Sequence, residues 1–120
     1  MTSADHDRYA DSVAAHLLGA LPELEEQALA RHVMGCASCR DEVERLRAAV
    51  DAALEATELA GEADTNPYDL GRSRRKLLAL ASILAMGTGV LVVDEPTTGQ
   101  DERGIEIVGR NLEAVAGAGR

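Results

Sequence analysis

Both cysteines of this 120-residue chain fall in one short motif, His32-x3-Cys36-x2-Cys39. His32 and Cys36 are four residues apart at the predicted end of a helix, so one helical turn brings them to the same side. Cys36 and Cys39 form a two-residue knuckle whose backbone can fold around a single ion. Because zinc takes four ligands and prefers thiolate and imidazole donors, the motif predicts three zinc ligands on one short segment.

The fourth zinc ligand has two nitrogen candidates in the sequence, His6 and His16. If the first two predicted helices form a hairpin that turns near residue 20, the residue level with position 32 is near position 8. His6 lies within one turn of that level, whereas His16 is about eight residues away, or roughly 12 Å along the axis. The predicted metal site is therefore His6, His32, Cys36 and Cys39, with His16 as a polar residue near the hairpin loop.

Two other interpretations of the motif remain open from the residues alone. A Cys-x2-Cys pair is also typical of redox-active thiols. A histidine at the end of a helix can simply complement the helix dipole, beside cysteines that are inert.

Composition favours a mainly α fold. The chain has two tyrosines and no phenylalanine or tryptophan, so its core must consist of Leu, Val, Ile and Ala, which favours packing of helix on helix. Helical periodicity predicts a first helix from around Ser3–Asp5 to near Gly19, a second from Pro22 to Gly35, and a third from Ser38 through Thr57. A unit of about 60 residues is marginal without a metal or a partner, so a zinc tie is physically useful.

The predicted domain organisation has three parts. Residues 1–60 form a small zinc-tied three-helix domain, and residues 61–71, "GEADTNPYDLG", form a linker rich in turn-forming residues. Residues 72–120 then form a helix and a short strand and helix fragment.

The net charge of −9 is unevenly distributed along the chain. Residues 1–64 hold 14 acidic residues against 5 arginines, whereas residues 65–120 hold 7 acidic and 7 basic residues. An acidic first half argues against direct binding of nucleic acid and suits a basic protein partner, although a solvated acidic surface is the simpler explanation. Cysteine use and the lack of a secretory signal favour a reducing cytoplasm.

The first half resembles a known family of regulators. The segment "LGALPELEEQALARHVMGCASCRDEVERLRAAV", together with His6, is similar to the zinc-binding anti-sigma factors of bacteria over about residues 1–60. The resemblance implies a helical hairpin and a third helix tied by one zinc ion. It also implies a protein that is not an enzyme, and that sequesters a sigma factor and so represses transcription initiation. Some members release the sigma factor when their ligand thiols are oxidised, and here only a Cys36–Cys39 disulfide could report oxidation.

The second half contains a different motif, "VLVVDEPTTGQD", in which an apolar run ends in two acidic residues. In nucleotide hydrolysis, the first carboxylate of such a pair can hold Mg²⁺ and the second can orient the attacking water. Together with "RRKLLALASILAM", the motif makes residues 70–118 similar to the ATP-binding subunits of ABC transporters, most closely the energy-coupling-factor or cobalt-uptake type. The resemblance implies that Asp94 and Glu95 match the Walker B pair, that 98–101 match the D-loop, and that Asp94, Glu95 and Asp101 are nucleotide-binding candidates.

Two departures argue against ATP as a ligand of this segment. The 120 residues contain no Gly-x4-Gly-Lys-Ser/Thr phosphate loop, and the expected signature segment reads "LGRSR", without paired glycines. A lone Walker B strand also has no parallel neighbours with which to pair. We therefore expect this region to reorganise as helix, at least over residues 72–86.

The apolar stretch Leu77–Val93 has a third interpretation as a membrane anchor. Seventeen uncharged residues follow a cluster of arginines and lysine, which fits a short transmembrane helix with the first domain in the cytoplasm. Seventeen residues is the lower limit for a span, and Gly87-Thr88-Gly89 interrupts the helix. A further alternative is a soluble helix that contacts the partner protein. The last alternative is a chain that joins two unrelated segments near residue 65, of which the second has no function.

Overall fold

The computed structural model describes residues 3–119, and these form helices and irregular segments with no β-strand. The mainly α class is therefore confirmed. In chain order the helices are α1 (Ser3–Ala10), α2 (Val13–Leu17), α3 (Glu23–Gly35), α4 (Ala37–Ala56), α5 (Arg72–Met86) and α6 (Glu102–Gly117).

Two compact units make up the chain, Met1–Ala48 and Ala49–Arg120. The division falls inside α4, and residues 61–71 belong to the second unit, where they include most of two 3₁₀ turns, Ala60–Glu62 and Pro67–Asp69. The domain boundaries predicted at residues 60 and 72 remain a prediction.

The first unit has one helix more than predicted, because the first predicted helix is interrupted. Helix α1 ends at Ala10 and α2 begins at Val13, with Asp11 and Ser12 between them. Short polar side chains of these two types compete for backbone hydrogen bonds and favour helix ends over helix interiors. The core of the unit takes one buried residue from each of α2, α3 and α4: Val13, Leu29 and Val43.

The second unit has a core of aliphatic residues from the chain after α4, from α5 and from α6. Its buried members are Leu59, Leu77, Leu80, Ile107 and Val108. The helix predicted over residues 72–86 is confirmed and forms one side of this core.

The short strand included in the predicted fragment 72–120 is not formed within the described residues 3–119. Residues 90–93 make no backbone–backbone hydrogen bond with another residue of the described range 3–119. The physical reason is that no neighbouring strand supplies backbone hydrogen-bond donors and acceptors for this segment. The next segment instead turns, with the Thr98 N–H donating to the Glu95 carbonyl at 3.1 Å.

No helix within residues 3–119 combines the length and the apolar character needed to cross a membrane. The stretch proposed as an anchor, Leu77–Val93, is divided between the end of α5 and the irregular segment that follows it.

Helix α4 ends in a Schellman motif. The Leu59 N–H donates to the Leu54 carbonyl at 2.7 Å, and the Glu58 N–H donates to the Glu55 carbonyl at 3.0 Å. Glu58 has a φ of +57°, in the left-handed region that usually favours glycine at this position. Leu54 packs against the core that contains Leu59, which is the apolar contact that accompanies the motif.

Side chains from α5 and α6 satisfy the carbonyl groups at this helix end. The Ala56 carbonyl accepts from Asn111 Nδ2 at 2.8 Å and from Arg110 Nη2 at 3.2 Å, and the Glu58 carbonyl accepts from Arg74 Nη2 at 3.0 Å. Arg103 donates two hydrogen bonds to the Glu58 carboxylate, which lowers the pKa of Glu58 below its ordinary value. These cations lie at the negative end of the α4 dipole, where positive charge is favourable.

We expect Asn111→Ala to lower the free energy of unfolding by about 1–3 kcal/mol, because it removes two hydrogen bonds that a buried side chain donates. Asn111 is 7% exposed and donates to both Ala56 and Ile107 carbonyls, each at 2.8 Å. Urea unfolding of the full chain, followed by circular dichroism, measures the change. Glu113→Ala is the control, since this exposed residue of the same helix should shift stability by no more than about 0.5 kcal/mol. Equal losses in the two variants would contradict the role assigned to Asn111.

Candidate metal centre

The four predicted metal ligands come from three helices of the first unit. His6 lies in α1, His32 lies in the last turn of α3, Cys36 is the residue that caps α3, and Cys39 lies in the first turn of α4. One donor atom from each of the four residues lies within 4.8 Å of the others. The structure therefore brings together all four side chains that the spacing selected.

The spacing of the donor atoms fits a tetrahedral zinc ion. His6 Nδ1 lies 3.2 Å from Cys39 Sγ and 3.7 Å from Cys36 Sγ. Donors bound to one tetrahedral zinc at about 2.0–2.3 Å are separated from each other by roughly 3.3–3.8 Å. The two measured separations are close to that range.

A buried nitrogen of His32 gives an independent indication of a missing bond partner. His32 Nε2 is inaccessible to solvent and has no hydrogen-bond partner among the described residues. Leaving a buried polar atom unpaired is unfavourable by about 1–3 kcal/mol, so such atoms in native proteins call for an explanation. Two free, buried thiols and two imidazoles are a donor set that zinc prefers, and the residues present therefore fit the metal.

The electrostatics of the site favour a thiolate at Cys36. The backbone N–H of Cys39 donates to Cys36 and, together with the neighbouring His6 side chain, lowers the pKa of Cys36 to about 6 against the opposing effect of burial. Burial raises the pKa of Cys39, and so does the neighbouring Cys36. Since thiolate is the form that binds metals, Cys36 is prepared to bind at neutral pH, whereas Cys39 needs the cation to lose its proton.

Two residues that the sequence did not identify as part of the site support its histidine and its helix end. The Tyr9 ring stacks on the His32 ring with centroids 4.4 Å apart. Arg40 Nη1 donates to the Val33 and Met34 carbonyls at 3.4 and 3.3 Å, and so caps the end of α3 next to the motif. Two sequence features could have identified these residues. Tyr9 is three residues after His6, and Arg40 directly follows Cys39.

His16 lies outside the cluster and has a partner of its own. His16 Nδ1 is 2.6 Å from Glu26 Oε1, which joins α2 to the first turn of α3 beside the hairpin loop. This placement agrees with the expectation that His16 is a polar residue near that loop.

The three nucleotide-binding candidates of the second unit differ in their surroundings. Asp94 and Glu95 are exposed side by side, and Glu95 has a φ of +45°. The Asp101 carboxylate accepts a hydrogen bond from the Gly104 N–H at 2.7 Å and caps the start of α6, so it has a structural partner.

Comparison with known proteins finds one matching family profile and several similar curated proteins. Residues 7–40, which include His32, Cys36 and Cys39, match the profile of a family described as "Putative zinc-finger". A Pyrococcus furiosus protein named "Putative ABC transporter ATP-binding protein" is 43% identical over 77 residues, covering 64% of this chain and 30% of that protein. The zinc-finger resemblance is thus confirmed for residues 7–40, and the resemblance to ABC transporter ATP-binding proteins is confirmed over part of the chain.

Other relatives carry the same name and are also matched only in part. One from Methanosarcina acetivorans is 47% identical over 58 residues, covering 48% of this chain and 9% of the relative. One from Caldanaerobacter subterraneus is 33% identical over 114 residues, covering 92% of this chain and 17% of the relative. The chain therefore spans less than a third of the length of these curated relatives. No solved structure matches the chain significantly.

We expect His6→Ala to weaken zinc binding much more than His16→Ala. Loss of a ligand should exceed the roughly 10–100-fold effect of losing an outer-shell partner, whereas the His16 variant should bind within about 3-fold of the parent protein. Competition with a chromophoric zinc chelator measures both affinities, and the His16 variant serves as the matched control. A larger effect at His16 would overturn the assignment of the fourth ligand.

Proposed function

We propose that this chain is a zinc-binding regulator that sequesters a sigma factor and so represses transcription initiation. The observation that carries the proposal is the cluster of His6, His32, Cys36 and Cys39, which brings side chains from three helices together. In support, most of these residues fall in a segment that matches a zinc-finger family, and the spacing is similar to that of zinc-binding anti-sigma factors.

Zinc would act here as a structural ion. Because the first unit is small and its helices are short, the free energy of metal binding contributes directly to its folding. His6 and His32 would hold the ion through imidazole nitrogens, and Cys36 and Cys39 would hold it through sulfur. The ion would cross-link the helices with all four coordination positions filled by protein ligands. The surface for a partner would come from other side chains of the unit.

The charge of the first unit supports a basic protein partner. Glu23 and Glu25 in α3, and Asp41 and Glu44 in α4, are all exposed. Complementary charge speeds association and selects among partners more than it raises affinity. Sigma factors bind DNA, so a basic surface on the partner fits an acidic surface on this chain.

The test uses the zinc-loaded full chain and an extracytoplasmic-function-type sigma factor, preferably one encoded beside it. We expect one zinc per chain and a 1:1 complex by calorimetry that inhibits transcription in vitro. Cys36→Ser combined with Cys39→Ser should abolish both zinc binding and the complex, whereas His16→Ala should retain both. A purified chain that contains no zinc, or that leaves transcription unchanged, would exclude the proposal.

A second candidate function, nucleotide binding by the second unit, has the names of the curated relatives in its favour. Asp94 and Glu95 would then contribute to a Mg²⁺-nucleotide site together with other parts of an ABC-type ATPase. This candidate predicts that Mg-ATP binds with an affinity that Asp94→Ala reduces at least about tenfold, while Glu113→Ala has no effect. A flat Mg-ATP titration of the parent chain would remove it.

A further inference from the structure

A shallow groove of about 290 Å³ lies in the second unit, between α5 and the segment 92–96. Its base includes Leu80 and Val108, which are 7% and 3% exposed and belong to the core. Its sides include Ile83 of α5 and two residues of the irregular segment, Val92 and Val93. Val92 is 83% exposed, so an apolar surface of this unit faces solvent.

Two acidic residues are among those that line this groove. Asp94 and Glu95 both line it, and neither carboxylate forms a hydrogen bond or an ion pair with any residue whose side chain the structure describes. Lys76 also lines the groove, but its ammonium donates a hydrogen bond to the Thr98 carbonyl. Unpaired negative charge therefore adjoins an exposed apolar surface.

The backbone holds one of these acidic residues in an unusual conformation. Glu95 has a φ of +45°, which residues other than glycine seldom adopt. The turn that follows is fixed by hydrogen bonds from Thr98 N–H to the Glu95 carbonyl at 3.1 Å and from Gln100 N–H to the Thr97 carbonyl at 3.0 Å. Strained residues of this kind persist where the surrounding structure determines them, and they are frequent at binding sites.

We propose that this groove binds a basic amphipathic segment of a partner protein. An aliphatic side chain of the partner would pack against Leu80 and Val108, and a lysine or arginine would pair with Asp94 and Glu95. The groove volume of about 290 Å³ is just below the roughly 300 Å³ at which pockets for small molecules usually start. A groove of this size suits a single inserted side chain. The charge supports a basic partner, because unpaired carboxylates beside an apolar surface complement an amphipathic cation.

This surface is separate from the zinc ligands, all of which belong to the first unit. The proposal therefore does not depend on sigma-factor binding, and each can fail without the other.

The test uses the zinc-loaded full chain and a pair of synthetic 14-residue amphipathic peptides, one of Leu and Lys and the other of Leu and Glu in the same helical pattern. We expect the Leu/Lys peptide to shift the amide resonances of Ile83, Val92 and Val93 in ¹⁵N spectra, and the Leu/Glu peptide to leave them unchanged. Val92→Asn, at an exposed position, should weaken binding of the Leu/Lys peptide without unfolding the protein.

Matched charge variants separate local recognition from general attraction to an acidic protein. Asp94→Asn combined with Glu95→Gln should weaken the Leu/Lys peptide by roughly 2- to 30-fold at low salt, as expected for two exposed ion pairs. Asp51→Asn combined with Glu113→Gln makes the same change of charge at exposed positions of α4 and α6, and should leave affinity within about 2-fold.

Four results would overturn the proposal. The first is equal weakening by the two charge variants, the second is equal binding of the acidic peptide, and the third is the absence of shifts at Ile83, Val92 and Val93. The fourth is self-association of the chain without peptide that Val92→Asn abolishes, because a second copy would then be the occupant of the groove.

Discussion

Four donor atoms from three helices converge in the first unit. Helices of 5, 8 and 13 residues, as α2, α1 and α3 are, have little stability of their own in water. The buried side chains Val13, Leu29 and Val43 are a small core for such a unit. A zinc ion held by His6, His32, Cys36 and Cys39 would add the cross-links that this core lacks, and it would satisfy His32 Nε2 at the same time.

The second unit is stabilised differently, through a helix end that receives many hydrogen bonds. Aliphatic side chains form its core, and the Ala56 and Glu58 carbonyls at the end of α4 accept from Arg74, Arg110 and Asn111. Glu58 links this end to α6 through Arg103. Asp101, a nucleotide-binding candidate from the sequence, caps the start of α6 in this unit.

The sequence predicted the parts of the structure that depend on local pattern. Apolar periodicity and capping residues located the helices, and axial distance selected His6 over His16. The interruption at Asp11–Ser12 was missed because the apolar face continues across it, and local competition for hydrogen bonds is weak evidence against a helix. The strand expected within residues 72–120 is absent from the described residues because a strand needs neighbouring strands with which to pair. The stacking of Tyr9 on His32 and the pairing of Glu58 with Arg103 depend on tertiary contacts between distant positions.

The unpaired nitrogen of His32 has a consequence for how long the protein persists in a cell. A first unit without metal would contain a buried nitrogen with no partner, and its folded population would fall with the concentration of free zinc. Proteases act on the unfolded fraction, so abundance would follow metal supply even if synthesis were constant. The ligand cluster would then couple the rate of degradation to zinc supply, in addition to stabilising the fold.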